Sequence, residues 1–335
     1  MRIAVDAMGG DFAPREIVQG ALDAVQQLPA VTEIILVGDE QRIRAELKGR
    51  ALPAKMRIHH ASETIEMGEA PAQAVRRKKD SSISRAIDLV KLGEADAMVS
   101  AGNTGGVVVA ATLKLRTLDG VLRPAIATVM PTQGRPLVLL DAGANTDCDA
   151  KLLLQFAIMG SVYAQAILGQ AKPVVGLISI GGEDSKGNET TKEAFKLLSS
   201  SGLNFRGNVE GHDLFKGETD VAVCDGFVGN TILKTSESAA HAIVHWMKKE
   251  FTKNPVRLLG ALLLKGALKS MKNRMDPEMA GGAPLLGVRG VCIISHGASS
   301  ARAIRHAIRV ASESVHHNLN QLIAQRIADV EGALT

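Results

Sequence analysis

One pattern constrains this chain more than any other. Met98–Gly106 reads Met-Val-Ser-Ala-Gly-Asn-Thr-Gly-Gly: an apolar strand stops, small polar residues take over, and a helix-like run from Val107 to Leu115 begins. The same sequence of events recurs at Ile3–Asp11, Leu137–Asn145, Leu177–Asn188, Val221–Asn230 and Val291–Ser300. Glycine lets the backbone turn tightly and approach a ligand. A helix start offers unpaired N–H groups and partial positive charge, which suit an anion. Strand–loop–helix alternation of this kind predicts an α/β protein whose sheet is mostly parallel. In a parallel sheet the carboxyl ends of the strands share one edge, where ligands bind. The expectation is therefore one site assembled from many loops.

The elements follow from the same reading. Strands are expected at Ile3–Asp6, Ile34–Val37, Arg57–His60, Pro124–Met130, Leu137–Asp141, Val174–Ile180 and Arg289–Ile294. Pro-Thr-Gln-Gly-Arg joins Pro124–Met130 to Leu137–Asp141 as a hairpin-like turn, so the sheet should be mixed. Helices are expected from Pro14 to about Leu28, from Asp39 to Lys48, and over Ser82–Leu92, Asp149–Leu168 and Asn188–Ser199, the last with Asn188 as N-cap. Residues 61–81 read as a polar connection ending in the basic run Arg76–Lys79, a solvated helix face. Val228–Lys249 and a helix from Pro255 to about Lys272 make a pair too long for a simple crossover. The chain thus reads as a single α/β catalytic domain, residues 1–335, with 231–280 as a projecting helical hairpin. Terminal helices should cover Ser300–His317 and Leu319–Val330.

Composition narrows the function. With 335 residues, 46% hydrophobic and 22% charged, the chain can bury a sizeable core. Aromatics make up 3%, which argues against stacking on single-stranded nucleic acid. Cys148, Cys224 and Cys292 lie far apart with no Cys-x-x-Cys, so neither a zinc site nor a disulfide framework is expected. Cys224 and Cys292 sit in apolar strands as core residues. The start goes straight into a strand without a signal peptide, and no apolar run is long enough to span a bilayer; a cytoplasmic protein is expected. Charge is uneven. His245–Arg274 carries Lys248, Lys249, Lys253, Arg257, Lys265, Lys269, Lys272 and Arg274 against Glu250 alone, a local +7 in a chain whose total is +4. An acidic partner or an anionic surface should meet this segment. Leu258, Leu259, Leu262, Leu263, Leu264, Leu268 and Met271 give it an apolar face too, which suits either a membrane interface or a dimer contact.

The loops exclude as well as suggest. There is no Walker P-loop, no Gly-x-Gly-x-x-Gly after the first strand, and no Gly-x-Ser-x-Gly elbow. Lys186, set between glycines near a helix start, is the most pointed candidate for holding phosphate or a developing oxyanion. Asn103, Asn145, Asn188 and Asn230 could each donate to an oxyanion, and each is equally a turn or cap residue. Asp6, Asp141 and Asp225 follow apolar strands. No His joins them at ligand spacing, so they are read as lining the site or bonding adjoining turns, not as metal ligands. Gly9, Gly10, Ser100 and Thr104 complete the expected substrate-binding set. His296, at a strand end, divides between acid–base work and capping. His241 and His245 share a helix face without the Glu of His-Glu-x-x-His and are read as surface or interface residues.

Together the loops resemble those of the bacterial phosphate acyltransferase family (PlsX, acyl-ACP:phosphate transacylases). The matching strings are Asp6–Asp11, Ser100–Gly105, Lys186–Glu189, Gly207–Gly211, Asp225–Asn230, Gly281–Gly287 and His296-Gly297, in order from end to end. Gly106 stands where alanine is expected, and Ala298 is a similarly small departure. The resemblance implies a three-layer α/β/α fold with a mixed, mostly parallel sheet, isocitrate-dehydrogenase-like or phosphotransacetylase-like. It implies transfer of a fatty acyl group from acyl carrier protein to inorganic phosphate, for phosphatidic acid and phospholipid synthesis, with no cofactor. The partners it implies are a second copy in a homodimer, acyl carrier protein, and a membrane glycerol-3-phosphate acyltransferase. A membrane surface is a further contact, with peripheral association at the inner membrane. In this reading Lys186, Asn230 and His296 are catalytic, and the basic hairpin residues meet carrier protein or membrane. Alternatives are a phosphotransacetylase acting on acyl-CoA, a nicotinamide- and metal-dependent dehydrogenase on a similar fold, or a non-catalytic scaffold that binds carrier protein.

Overall fold

The computed structural model describes residues 1–274 and 281–334, with side chains described to Met271 and from Gly281 to Ala333. The first part runs β1 (Arg2–Asp6), α1 (Arg15–Gln27), β2 (Glu33–Gly38), α2 (Glu40–Glu46), β3 (Met56–His60), α3 (Pro71–Arg77), α4 (Ser82–Lys91), β4 (Ala97–Ser100) and α5 (Thr104–Lys114). Then follow β5 (Ala125–Met130), β6 (Leu137–Leu140), α6 (Ala150–Ala166), β7 (Val175–Ile178), α7 (Glu189–Ser200), β8 (Phe205–Val209) and β9 (Val221–Val223). The remainder is α8 (Gly226–Phe251), α9 (Pro255–Leu263), α10 (Lys265–Arg274), β10 (Ala283–Leu286), β11 (Val291–Ile294), α11 (Ala301–His316) and α12 (Leu319–Leu334).

Among the described residues eleven strands form one sheet in the order β3-β2-β1-β4-β11-β10-β5-β6-β9-β7-β8. Strands covered on both faces read as unbroken apolar runs, because successive side chains point to opposite faces. Ile3 and Val5 of β1 enter one core, shared with α1 and α11, while Ala4 between them enters the core under α4 and α5. In the other half α6 and α12 cover one face of β6, β7 and β9, and the start of α8 covers the opposite face. Helices on both sides of a mixed sheet make the three-layer α/β/α architecture.

The direction of the strands corrects one expectation. β1, β2, β3, β4 and β11 run parallel to one another, as do β6, β7, β8 and β9. Between the two sets β10 is antiparallel to both β11 and β5, and β5 is antiparallel to β6. The halves therefore point oppositely in the ladder, and their strand ends lie on two edges, not one. The β5–β6 hairpin, legible in the sequence, is what reverses the chain. Twist then works against that separation: about 20–25° per strand gives roughly 80–100° between β4 and β6. One apolar cluster joins the two edges, since Ala142, Ala144 and Leu233 from the second half share it with Val107, Val108 and Ile294 from the first.

Other boundaries also shift. Pro255–Lys272 is not one helix: it breaks at Leu264 between α9 and α10, flanked by Gly260 and Gly266. The sequence pattern predicts neither β8 nor β10, and α3 lies in the polar stretch of residues 61–81. β10 contains Pro284, a residue that argues against a strand; it pairs with Ile293 of β11, one residue before β10 meets β5. The run Arg76–Lys79 is only partly a solvated face. Lys78 turns inward, its Nζ 2.6 Å from both the Thr64 carbonyl and Glu69.

Candidate active site

The first edge collects Asp6, Gly9, Gly10, Ser100, Asn103, Thr104 and His296 beyond β1, β4 and β11. Asp6 is 1% exposed and acts on its own loop. It accepts from Met8 N (3.1 Å) and from the Ser100 hydroxyl (2.6 Å), and Ser100 Oγ accepts in turn from Gly102 N (3.0 Å). Burial pushes the Asp6 carboxyl above its ordinary range, and the Ser100 hydrogen bond opposes that shift. Asp11 N donates to the Gly297 carbonyl at 2.8 Å, tying the Gly9-Gly10 turn to the loop after β11.

Asn103 is committed as well. Its Oδ1 accepts from Gly106 N and caps α5, while its Nδ2 donates to the carbonyls of Glu66, Met67 and Glu69, each at 3.1 Å. With these bonds Asn103 holds residues 66–69 in place. His296 Nδ1 accepts from Ala298 N at 3.1 Å, which caps the turn and leaves Nε2 of an exposed ring available. Thr104 is exposed at the first turn of α5.

The second edge collects Asp141, Asn145, Asp225 and Asn230 with Lys186 and Asn188. Asp141, fully buried, accepts from the backbone N–H groups of Ile126 (3.0 Å), Gly143 (3.2 Å), Ala144 (3.1 Å) and Asn145 (2.7 Å). The Asn145 amide donates to Asp141 and to the Pro124 carbonyl, so it too faces inward. Asp141 is thus the knot of this loop. Burial raises its pKa against the pull of those donors. Asp225 caps α8 through Val228 N (2.8 Å), and Gly226 N donates to the Asn145 carbonyl at 2.6 Å. The first turn of α8 is in this way locked to the Asp141 loop. Asn188 caps α7 through Thr191 N at 2.8 Å, as expected.

Two of the expected catalytic groups stay uncommitted on this edge. Asn230 is exposed one turn into α8, and Lys186 is exposed on the loop between β7 and α7; neither side chain has a hydrogen-bond partner among the described residues. β7 and β9 are neighbours in the sheet, so the Lys186 loop and the start of α8 leave the same edge. The thiols close by are quiet. Burial pushes Cys148 up to about 12, aided by Asp141 and Asp225, and Cys224 is also raised well above its usual value. Thiols raised in this way are poor nucleophiles. Among the described residues no group of three His, Cys, Asp or Glu side chains is placed to hold a metal ion.

The hairpin residues are separate from both edges. Lys248, Lys249, Lys253, Lys265 and Lys269 are exposed, and Arg257 pairs with Glu250; the side chain of Lys272 lies outside the described residues. His241 and His245 are exposed on α8. Among the described residues no helix is long and apolar enough to cross a membrane.

The comparisons with known proteins agree with one another. A family model described as "Fatty acid synthesis protein" matches residues 1–322. A phosphate acyltransferase of Pelotomaculum thermopropionicum is 53% identical over 331 residues, covering 99% of this chain and 96% of that protein. One from Desulfitobacterium hafniense is 52% identical over 328 residues, 98% of each chain. In fold, the chain is similar to a phosphotransacetylase from Streptococcus pyogenes, with a TM-score of 0.61, 18% identity and 94% of each chain covered. With half its residues shared along nearly the whole length, the chain belongs to the phosphate acyltransferase family of acyl-transferring enzymes.

Proposed function

We propose that the protein converts a fatty acyl thioester of acyl carrier protein and inorganic phosphate to acyl phosphate and free carrier protein. The observation that carries this reading is the pair Lys186 and Asn230: a cation and an amide, both uncommitted, on one sheet edge. Phosphate is itself the nucleophile, so the enzyme needs no serine or cysteine of its own. One phosphate oxygen attacks the thioester carbon, the carbonyl oxygen gathers negative charge, and the carbon–sulfur bond breaks to release a thiolate. Lys186 holds the phosphate and offsets that charge, and Asn230 donates to the oxyanion. A thiolate leaves readily, so the role of His296 across the apolar bed is secondary. The product is an activated acyl donor, which a membrane glycerol-3-phosphate acyltransferase would use on the way to phosphatidic acid.

The hairpin serves the partners in this scheme. Its basic residues dock acyl carrier protein, whose acidic surface complements them. Only Gly226 and Gly229 of the 26 residues of α8 are buried, and Ile243, Val244 and Trp246 are exposed; this face packs on a second copy in a homodimer. Val256, Leu259, Leu262 and Leu263 of α9 are exposed too, and they meet the membrane surface.

Trapping with hydroxylamine tests the reaction. Acyl hydroxamate should form from long-chain acyl carrier protein and phosphate, and far more slowly from acetyl-CoA. Preference for acetyl-CoA would make the protein a phosphotransacetylase, and no hydroxamate from either donor would leave a scaffold. Charge reversal at Lys265 and Lys269 should weaken carrier-protein binding by about tenfold, the effect of a few exposed ion pairs. Unchanged affinity in a titration at low salt would remove the docking role.

A further inference from the structure

The string Gly207–Gly211 has no part in the chemistry above, yet the structure places it directly against the lysine loop. β8 is the last strand of the sheet, and an edge strand of its sequence, Phe-Arg-Gly-Asn-Val, has every opportunity to solvate its polar side chains. Asn208 nevertheless is only 9% exposed. Its Nδ2 donates to the Glu183 carbonyl at 2.8 Å. The same carbonyl accepts from Lys186 N at 3.0 Å, the bond that closes the Glu183–Lys186 turn. Register explains the reach: Asn208 lies beside Leu177 on β7, two residues before the chain leaves the sheet at Ser179 to form this loop.

The other end of the amide is informative. Asn208 Oδ1 is buried without a partner among the described residues, an arrangement that destabilises the fold. Turning the amide over would set oxygen against the Glu183 carbonyl and leave a donor orphaned instead, which is worse. A buried asparagine carrying such a cost is kept for the bond that its nitrogen makes. Around that bond the loop is otherwise loosely held: Gly182, Glu183, Asp184, Ser185 and Lys186 are all exposed.

We infer that Asn208 is a positioning residue for acyl transfer: from β8 it fixes the Glu183–Lys186 turn and so sets where Lys186 leaves the loop. This rests on the reading of Lys186 given above. Asn208 itself touches no substrate. It acts by removing the freedom of a glycine-rich segment that would otherwise spread the ammonium over many positions, and catalysis is sensitive to displacements of an ångström. Aspartate in its place would keep the shape but turn the donor into an acceptor facing a carbonyl.

A double-mutant cycle on the full-length protein tests this, with hydroxamate formation as the rate and phosphate as the varied substrate. Asn208→Ala should lower kcat/KM for phosphate by about tenfold, one hydrogen bond's worth, and leave the KM for the acyl donor unchanged. In the Lys186→Ala background the same substitution should change nothing, because the group it positions is gone. Asn208→Asp should behave at least as badly as Asn208→Ala. Should Asn208→Ala lose its cooperative thermal transition, Asn208→Ser, small and polar but too short to reach Glu183, makes the same comparison. Equal losses in both backgrounds, or no loss in the parent, would overturn the positioning role while leaving the lysine in place. Full activity of Lys186→Ala alone would instead sink the assignment of the lysine.

Discussion

Lys186→Ala should lower kcat/KM for acyl phosphate formation by about 10²–10³-fold while the melting transition stays where it is. The size follows from what a preorganised group is worth to a developing oxyanion, about 2.7–4 kcal/mol. The unchanged stability follows from the loop. Lys186 is exposed, and its ammonium has no ion-pair partner among the described residues, so its loss orphans nothing and falls within the roughly ±0.5 kcal/mol of ordinary surface changes. Asn103→Ala gives the contrast. It would strip a donor from three backbone carbonyls and a cap from α5, so stability and activity should fall together. Initial rates by hydroxylamine trapping, paired with calorimetry on both variants, separate a residue that meets the reaction from one that holds the frame. Activity of Lys186→Ala within a few-fold of the parent would move the chemistry elsewhere.

That contrast also shows what the sequence could convey. Strand ends rich in glycine and short polar residues were visible, and so was their order along the chain. The β5–β6 hairpin was visible too, but not its consequence, since the reversal of half a sheet depends on which strands pair. β10 and β11 come last in the chain and sit in the middle of the sheet, a placement that no local pattern announces. Side-chain roles were harder still. Asn103 and Asn145 share their residue type with Asn230, and Asp6 and Asp141 sit beside glycine-rich turns as Lys186 does. Only the hydrogen-bond census separates residues whose donors and acceptors are consumed by their own loops from those left over. Asn208 was inside a recognised string but had no assignable task, because its partner, the Glu183 carbonyl, lies 25 residues away and is backbone.

Gly229→Ala should destabilise the protein by about 1–2 kcal/mol and cost most of its activity, although alanine is the better helix former. Two effects compete. In the second turn of α8 the exchange gains about 1 kcal/mol of helix propensity. Against that, a Cβ at 229 would overlap the Asp141 carbonyl oxygen, with the carbonyl carbon 2.9 Å away and Cys224 Sγ at 3.1 Å. Backbone cannot swing aside as a flexible side chain does, and overpacking against it costs about 1–3 kcal/mol or more. The only relief is to lift α8 from the Asp141 loop, which breaks the Gly226–Asn145 bond of 2.6 Å and shifts Asn230 with the helix. Gly260→Ala in α9 isolates the propensity effect, since a Cβ there meets nothing within 4 Å; it should leave activity intact and raise stability by up to about 1 kcal/mol. Urea unfolding of the two variants should therefore move in opposite directions from the parent. If Gly229→Ala were as stable as Gly260→Ala, the close seat of α8 on the Asp141 loop would not exist in solution, and the edge shared by Asn230 and Lys186 would lose its support.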